Sequence, residues 1–207
     1  MDKTTQILDP NINLHVSFAQ GHIPELLRKL ENFVGIPLSL RSNSGEVVCK
    51  TDYFFGPCSI IRGTEIGRQN CRKTYQNIEQ KLFNRKSPYV NICYAGFLIF
   101  AVPLEFRGEM IGTLFGAQIL PQKFSSNVEI TSFFENLIGM VRIKDRDSFC
   151  KSFLQVKSLE PDFQRINFLQ FLTKIGENFV EMAFSDKTWP IFYRAIKDDI
   201  KPFGLII

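Results

Sequence analysis

Tryptophan occurs once and histidine twice in these 207 residues. With only His15 and His22 available, a hydrolytic metal site built on three histidines is excluded. Signatures that hold catalytic groups at fixed spacing are also missing. There is no G-x-S-x-G elbow, no phosphate-cradling P-loop and no H-E-x-x-H helix. Helix-turn-helix, zinc-finger and RNA-binding patterns are absent, and a net charge of +4 is spread along the chain. That spread reads as a solvated surface, so no direct nucleic-acid binding is expected. The opening residues, MDKTTQILDPNINL, carry no apolar run behind basic residues, which argues against a secretory signal. Ser87–Leu104 contains no charge, yet it falls slightly short of the ~20 apolar residues of a membrane span. Pro88, Asn91 and Pro103 interrupt it, and two neighbouring buried strands explain it better. The five cysteines are an odd number without a secretion signal, so reduced thiols and a cytoplasmic location are expected.

What is present is a large apolar fraction, 44%, with 21 phenylalanines. A chain of this length buries a sizeable core without staples, and the phenylalanines predict a core of flat side chains. Pro24–Val34 has apolar residues at helical spacing and Gly35 to end it. Ile36–Leu40 and Glu46–Cys49 predict a hairpin across the turn residues Arg41–Gly45. An aromatic loop, Tyr53–Pro57, precedes Cys58, and Gly63–Phe83 predicts one helix. Tyr89–Cys93, Phe97–Phe106 and Met110–Leu120 predict strands, turned at Tyr94-Ala95-Gly96 and Arg107-Gly108-Glu109. Gly112 and Gly116 lie four apart in the last strand, a spacing that thins one face for a bulge or a close neighbour. Helices are predicted over Val128–Met140, Asp147–Val156, Pro161–Phe184 and Trp189–Ile200, and a short strand over Ile12–Phe18. The sum is an α+β domain: an antiparallel sheet flanked by helices, with helices at its C-terminal end.

The block Cys93-Tyr94-Ala95-Gly96-Phe97, Ala101-Val102-Pro103-Leu104, Arg107-Gly108-Glu109, Ile111-Gly112 and Gly116-Ala117-Gln118 resembles the core signature of the PocR sensory-domain family. The upstream hairpin, Cys58 and Cys71 follow in the same order, and Asp147–Phe184 resembles the family's closing helices. The resemblance divides the chain into an arm over 1–13, a sensory domain over 14–185 and a helical extension over 186–207. It implies a PAS-like fold that senses small molecules, simple hydrocarbon derivatives such as diols among them, without catalysis. It also implies a place in signal transduction or transcription regulation, acting through a homodimer or a signalling partner protein. About 20 residues follow the matched region, so a stand-alone sensor or a piece of a longer protein is expected. Tyr94 stands where many members carry histidine.

The resemblance assigns the ligand site to Phe55, Cys58, Cys71, Cys93, Tyr94, Phe97, Gly112 and Gln118. Two further readings of the cysteines stay open. Cys58, Cys71 and Cys93, with Cys49 as a candidate fourth thiolate, suit zinc or an iron–sulfur cluster. Their separations of 13 and 22 residues lack the short C-x₂-C knuckle, so such a site would draw on three separate elements. Thiols paired for redox sensing are the other reading, and small buried hydrophobes the plainest one, preferred for Cys49 and Cys150. Tyr53, Phe54, Phe55, Phe97 and Phe100 likewise line a pocket or simply pack a core, the latter preferred residue by residue. Gln118 either holds a ligand hydroxyl or ties strands together. Cys71 lies near Arg68, Arg72 and Lys73, but no histidine is placed to make it a nucleophile.

Overall fold

A computed structural model of the chain describes residues 23–50, 56–159 and 162–184, with only the backbone of Leu154 and Gln155. The predicted strand at Ile12–Phe18, the helix at Trp189–Ile200, both histidines, and Tyr53, Phe54 and Phe55 lie outside the described residues. The elements are α1 (Ile23–Val34), β1 (Leu38–Ser42), β2 (Val47–Lys50), α2 (Gly56–Gly63), α3 (Glu65–Arg85), β3 (Tyr89–Ile92), β4 (Leu98–Phe106), β5 (Glu109–Ile119), α4 (Asn127–Val141), α5 (Arg146–Lys151), a 3₁₀ turn (Ser152–Gln155) and α6 (Asp162–Phe184). The five strands form one sheet in the order β2-β1-β5-β4-β3, with every pair antiparallel. This is the expected PAS-like α+β arrangement.

Alternation along the strands sends side chains to two different cores. Leu98, Phe100, Val102, Leu104 and Leu114 face α1 and α6. Ile99, Ala101, Phe115 and Ala117 face Tyr75, Ile78 and Leu82 of α3. A third cluster closes one end, where Phe97, Phe134, Phe149 and Phe153 stack and tilt against one another. These phenylalanines are core, as expected, while Phe33, Phe83, Phe133 and Phe163 are exposed.

A helix not expected from the sequence, α2, stands over Gly56–Gly63. The helix expected over Gly63–Phe83 is α3, Glu65–Arg85, and it starts after Thr64, which is extended at φ −90°, ψ 150°. Its Oγ1 accepts the Gly67 N–H at 3.0 Å, satisfying one of the unpaired donors of α3. The glycine-thinned face of β5 has a close neighbour, one of the two outcomes its spacing allowed, and that neighbour is a helix. A Cβ on Gly116 would stand 3.0 Å from Leu172 and 3.1 Å from Phe168, so the missing side chain admits α6. Gly176 answers from the helix, where a Cβ would meet Leu104 at 3.0 Å and Val102 at 3.3 Å.

No helix among the described residues is long and apolar enough to cross a membrane. Ser87–Leu104, the uncharged stretch, forms β3, a turn and most of β4.

Candidate functional site

The opposite face of the sheet carries a small cavity. It lies between α2, α3, the turn from β3 to β4 and the end of β5. Its lining includes Cys58, Cys71, Cys93, Tyr94, Phe97 and Gln118, six of the eight residues assigned from the sequence. The cavity has a volume of about 30 Å³, room for water-sized centres and little more.

Each wall has a local cause. At the turn, Gly96 takes φ +83° and donates its N–H to the Cys93 carbonyl at 2.9 Å. The tight reversal brings the Phe97 N–H to 3.4 Å from Cys93 Sγ. Tyr94 reaches across to α3, where its hydroxyl donates to the Gly67 carbonyl at 3.0 Å and sits 3.7 Å from Cys71 Sγ. Cys71, Thr74 and Tyr75 follow helical spacing and so share one face of α3.

The floor is a β-bulge. Leu98 pairs with Ile119 and Phe100 with Gly116, so two steps of β4 are matched by three of β5. Gln118 takes up the extra length at φ +61°, a left-handed conformation uncommon for a residue with a side chain. Ala117 and Gln118 thereby line the same cavity in succession, while Ile119 returns to the α6 side. The Gln118 residue is 4% exposed, and neither its Oε1 nor its Nε2 has a hydrogen-bond partner. Such a group costs about 1–3 kcal/mol when left unpaired. A buried amide with both ends unmatched, in a largely apolar lining that also includes Arg62 and Thr74, is a polar handle without its counterpart.

Two of the thiols around it, Cys58 and Cys93, are held protonated. Although Cys58 and Cys93 keep some surface in contact with solvent, burial pushes the Cys58 thiol well above its ordinary range, and neighbouring Cys93 and Cys71 add to the rise. Burial, only partly offset by the Phe97 N–H, pushes Cys93 up to about 11. Burial and the Cys71 contact raise the Tyr94 hydroxyl in the same direction. The unfolded chain ionises its thiols near ~8.5, so above that pH it holds fewer protons than the folded chain. Stability therefore falls as pH climbs through the unfolded value towards about 11. Thermal midpoints from pH 8 to 11 should decline more steeply for the native chain than for a Cys58→Ala/Cys93→Ala variant. Equal slopes would contradict the buried, protonated thiols.

The remaining assigned residues lie elsewhere. Gly112 pairs with Ser42 and Leu104 and shares the α6-facing side with Gly116, outside the cavity lining. Phe55 is outside the described residues. Phe100 packs edge-on against Phe168 at 4.8 Å, across the sheet from the cavity. Cys49 belongs to the α1/α6 core and Cys150 to the end cluster, so Cys49 does not join the other three thiols. Among the described residues no three His, Cys, Asp or Glu side chains are grouped to hold a metal ion. Ile61, Arg62, Thr74, Tyr75, Ile99 and Ala117 also line the cavity and were not singled out from the sequence. Helical spacing from Cys71 identifies Thr74 and Tyr75; the bulge that delivers Ala117 leaves no such mark.

A family model described as the sensory domain found in PocR matches residues 18–184. No curated protein matches the chain.

Proposed function

The chain belongs to the PocR sensory-domain family, and on that premise we propose that the cavity beside Gln118 is where this non-catalytic sensor holds its ligand. One observation carries the reading: a buried amide offers a donor and an acceptor to a small space whose lining is mostly apolar. A guest that both accepts and donates, such as a hydroxyl, would relieve both ends at once. The small volume and the largely apolar lining, with Arg62 at its side, favour a hydrocarbon derivative of few atoms. Binding would be read out through a second copy of the chain or a signalling partner, in transcription regulation or a related pathway of the cytoplasm.

Thermal shift against short-chain alcohols, diols and carboxylic acids tests this. A guest that binds only the folded state stabilises by about 2.7 kcal/mol at a hundredfold excess over its Kd. Alcohols and diols small enough to enter should raise the midpoint with dose. No stabilisation across the panel would remove the reading. A cysteine-based metal or redox sensor is the second reading, favoured by three thiols on one cavity. It requires thiolates, which burial opposes at Cys58 and Cys93. Elemental analysis and thiol titration of freshly purified protein distinguish it, since bound metal or a disulfide would displace the small-guest reading.

A further inference from the structure

We infer that a hydrogen-bonded latch centred on Arg165 couples the bulge at Gln118 to the anchoring of the start of α6. The inference deepens the sensing reading and rests on it for the identity of the input. Past the bulge, β5 leaves the sheet through Leu120 and Pro121. The Leu120 N–H donates to the Lys157 carbonyl at 2.8 Å, and the Leu120 carbonyl accepts the Leu159 N–H at 3.1 Å. The segment entering α6 thus pairs in parallel with the strand exit, two residues from Gln118.

Arg165 closes the connection. Its Nε donates to the Leu159 carbonyl at 2.8 Å and its Nη2 to the Pro121 carbonyl at 2.7 Å. Its Nη1 lies 3.3 Å from Asp162 Oδ1 in the same turn of helix. One planar guanidinium with fixed donor directions therefore joins helix, entering segment and strand exit. The first turn itself packs little, with Phe163 61% and Ile166 55% exposed, and the nearest buried side chains are Leu159 before it and Phe168 after it. The middle of α6 is held differently, by Gly176 and its buried neighbours against β4 and β5.

The two ends of this path differ in how well they are satisfied. Gln118 is left-handed, sits in an interrupted ladder and has an unmatched amide, so its conformation is the one a guest changes most readily. Leu120 cannot shift relative to Lys157 and Leu159 without disturbing the carbonyls that Arg165 holds. The cavity and the start of α6 lie towards opposite sides of the sheet, and this strand exit links them.

Native-state amide exchange on the full chain tests the latch by a double-mutant cycle of Gln118→Val and Arg165→Met. A β-branched side chain disfavours the left-handed backbone at this position and so loosens the bulge. In the native background Gln118→Val should speed exchange at Leu120, Leu159 and Ile166–Leu169 by roughly tenfold, with Tyr89–Ile92 unchanged. In the Arg165→Met background the same change should move Ile166–Leu169 by less than about twofold. Equal effects in both backgrounds, or an effect confined to β5, would overturn the latch. If Arg165→Met fails to fold, Arg165→Lys takes its place, since an ammonium keeps the charge but loses the planar fork. The cycle contains no guest, so a failed ligand screen leaves its outcome standing. A stabilising guest combined with an additive cycle would overturn the latch alone.

Discussion

Phe97→Ala should cost about 3–5 kcal/mol of unfolding free energy, the range for emptying a phenylalanine site in a core. Phe97 is 1% exposed and stacks on Phe134 at 5.6 Å and Phe153 at 5.9 Å. Its ring belongs to the end cluster and also walls the cavity. Its backbone closes the turn, since its carbonyl accepts the Cys93 N–H at 2.8 Å. Truncation therefore removes apolar burial and lets the turn that positions Cys93 and Tyr94 relax. A loss of this size is a large share of the total stability of an ordinary domain, about 5–15 kcal/mol. Urea unfolding measures it, and a loss below about 1 kcal/mol would show that the aromatic cluster does not hold this end.

Gly67→Ala should be comparably damaging, at about 3 kcal/mol or more, the upper end for overpacking. A Cβ at this position would collide with the Ile61 carbonyl oxygen and lie 2.7 Å from Thr64 Oγ1. Both are close to fixed: one is backbone, and the other is the hydroxyl that caps α3 by accepting the Gly67 N–H. Relief requires α2 and α3 to part. Those two helices carry Cys58 and Cys71, and the Gly67 carbonyl receives the Tyr94 hydroxyl. The same methyl group that destabilises the fold thus spreads three walls of the cavity. Denaturant unfolding and the thermal response to any stabilising guest should fall together. An alanine variant as stable as the native chain would mean that the helix junction is not tightly packed.

The strands from Tyr89 to Ile119 were legible because alternation, the Tyr94-Ala95-Gly96 turn and the Arg107-Gly108-Glu109 turn all point to the same antiparallel run. Cys58, Cys71 and Cys93 come from three separate elements, so only the order of motifs, through the family, brought them together in advance. Gly116 showed that something approaches the strand closely, but not whether the neighbour would be a ligand or a helix; Leu172 and Phe168 supply the answer. The helix Gly56–Gly63 was hidden because Gly56 and Pro57, after a run of aromatics, read as the end of a loop. Gln118 was picked out as a buried amide, yet its left-handed backbone was not foreseeable, since a positive φ at a residue other than glycine leaves little trace in sequence. The bulge decides the site, because it turns Ala117 and Gln118 onto the cavity side in succession.

These features join into one physical picture. Paired helices and a tight turn build dry walls, and a strand irregularity pushes an amide into the space between them. The same irregularity lies two residues from the contact that anchors the last described helix. A guest matched to the amide would replace an unsatisfied state with a satisfied one.

Equilibrium unfolding of Gln118→Met without any guest tests that picture most directly. Methionine keeps the length of the side chain and removes both unmatched polar atoms. The variant should be more stable than the native chain by about 1–3 kcal/mol, the cost of the stranded amide. A variant less stable than the native chain would mean that the amide already has its partners and that the cavity is not waiting for one.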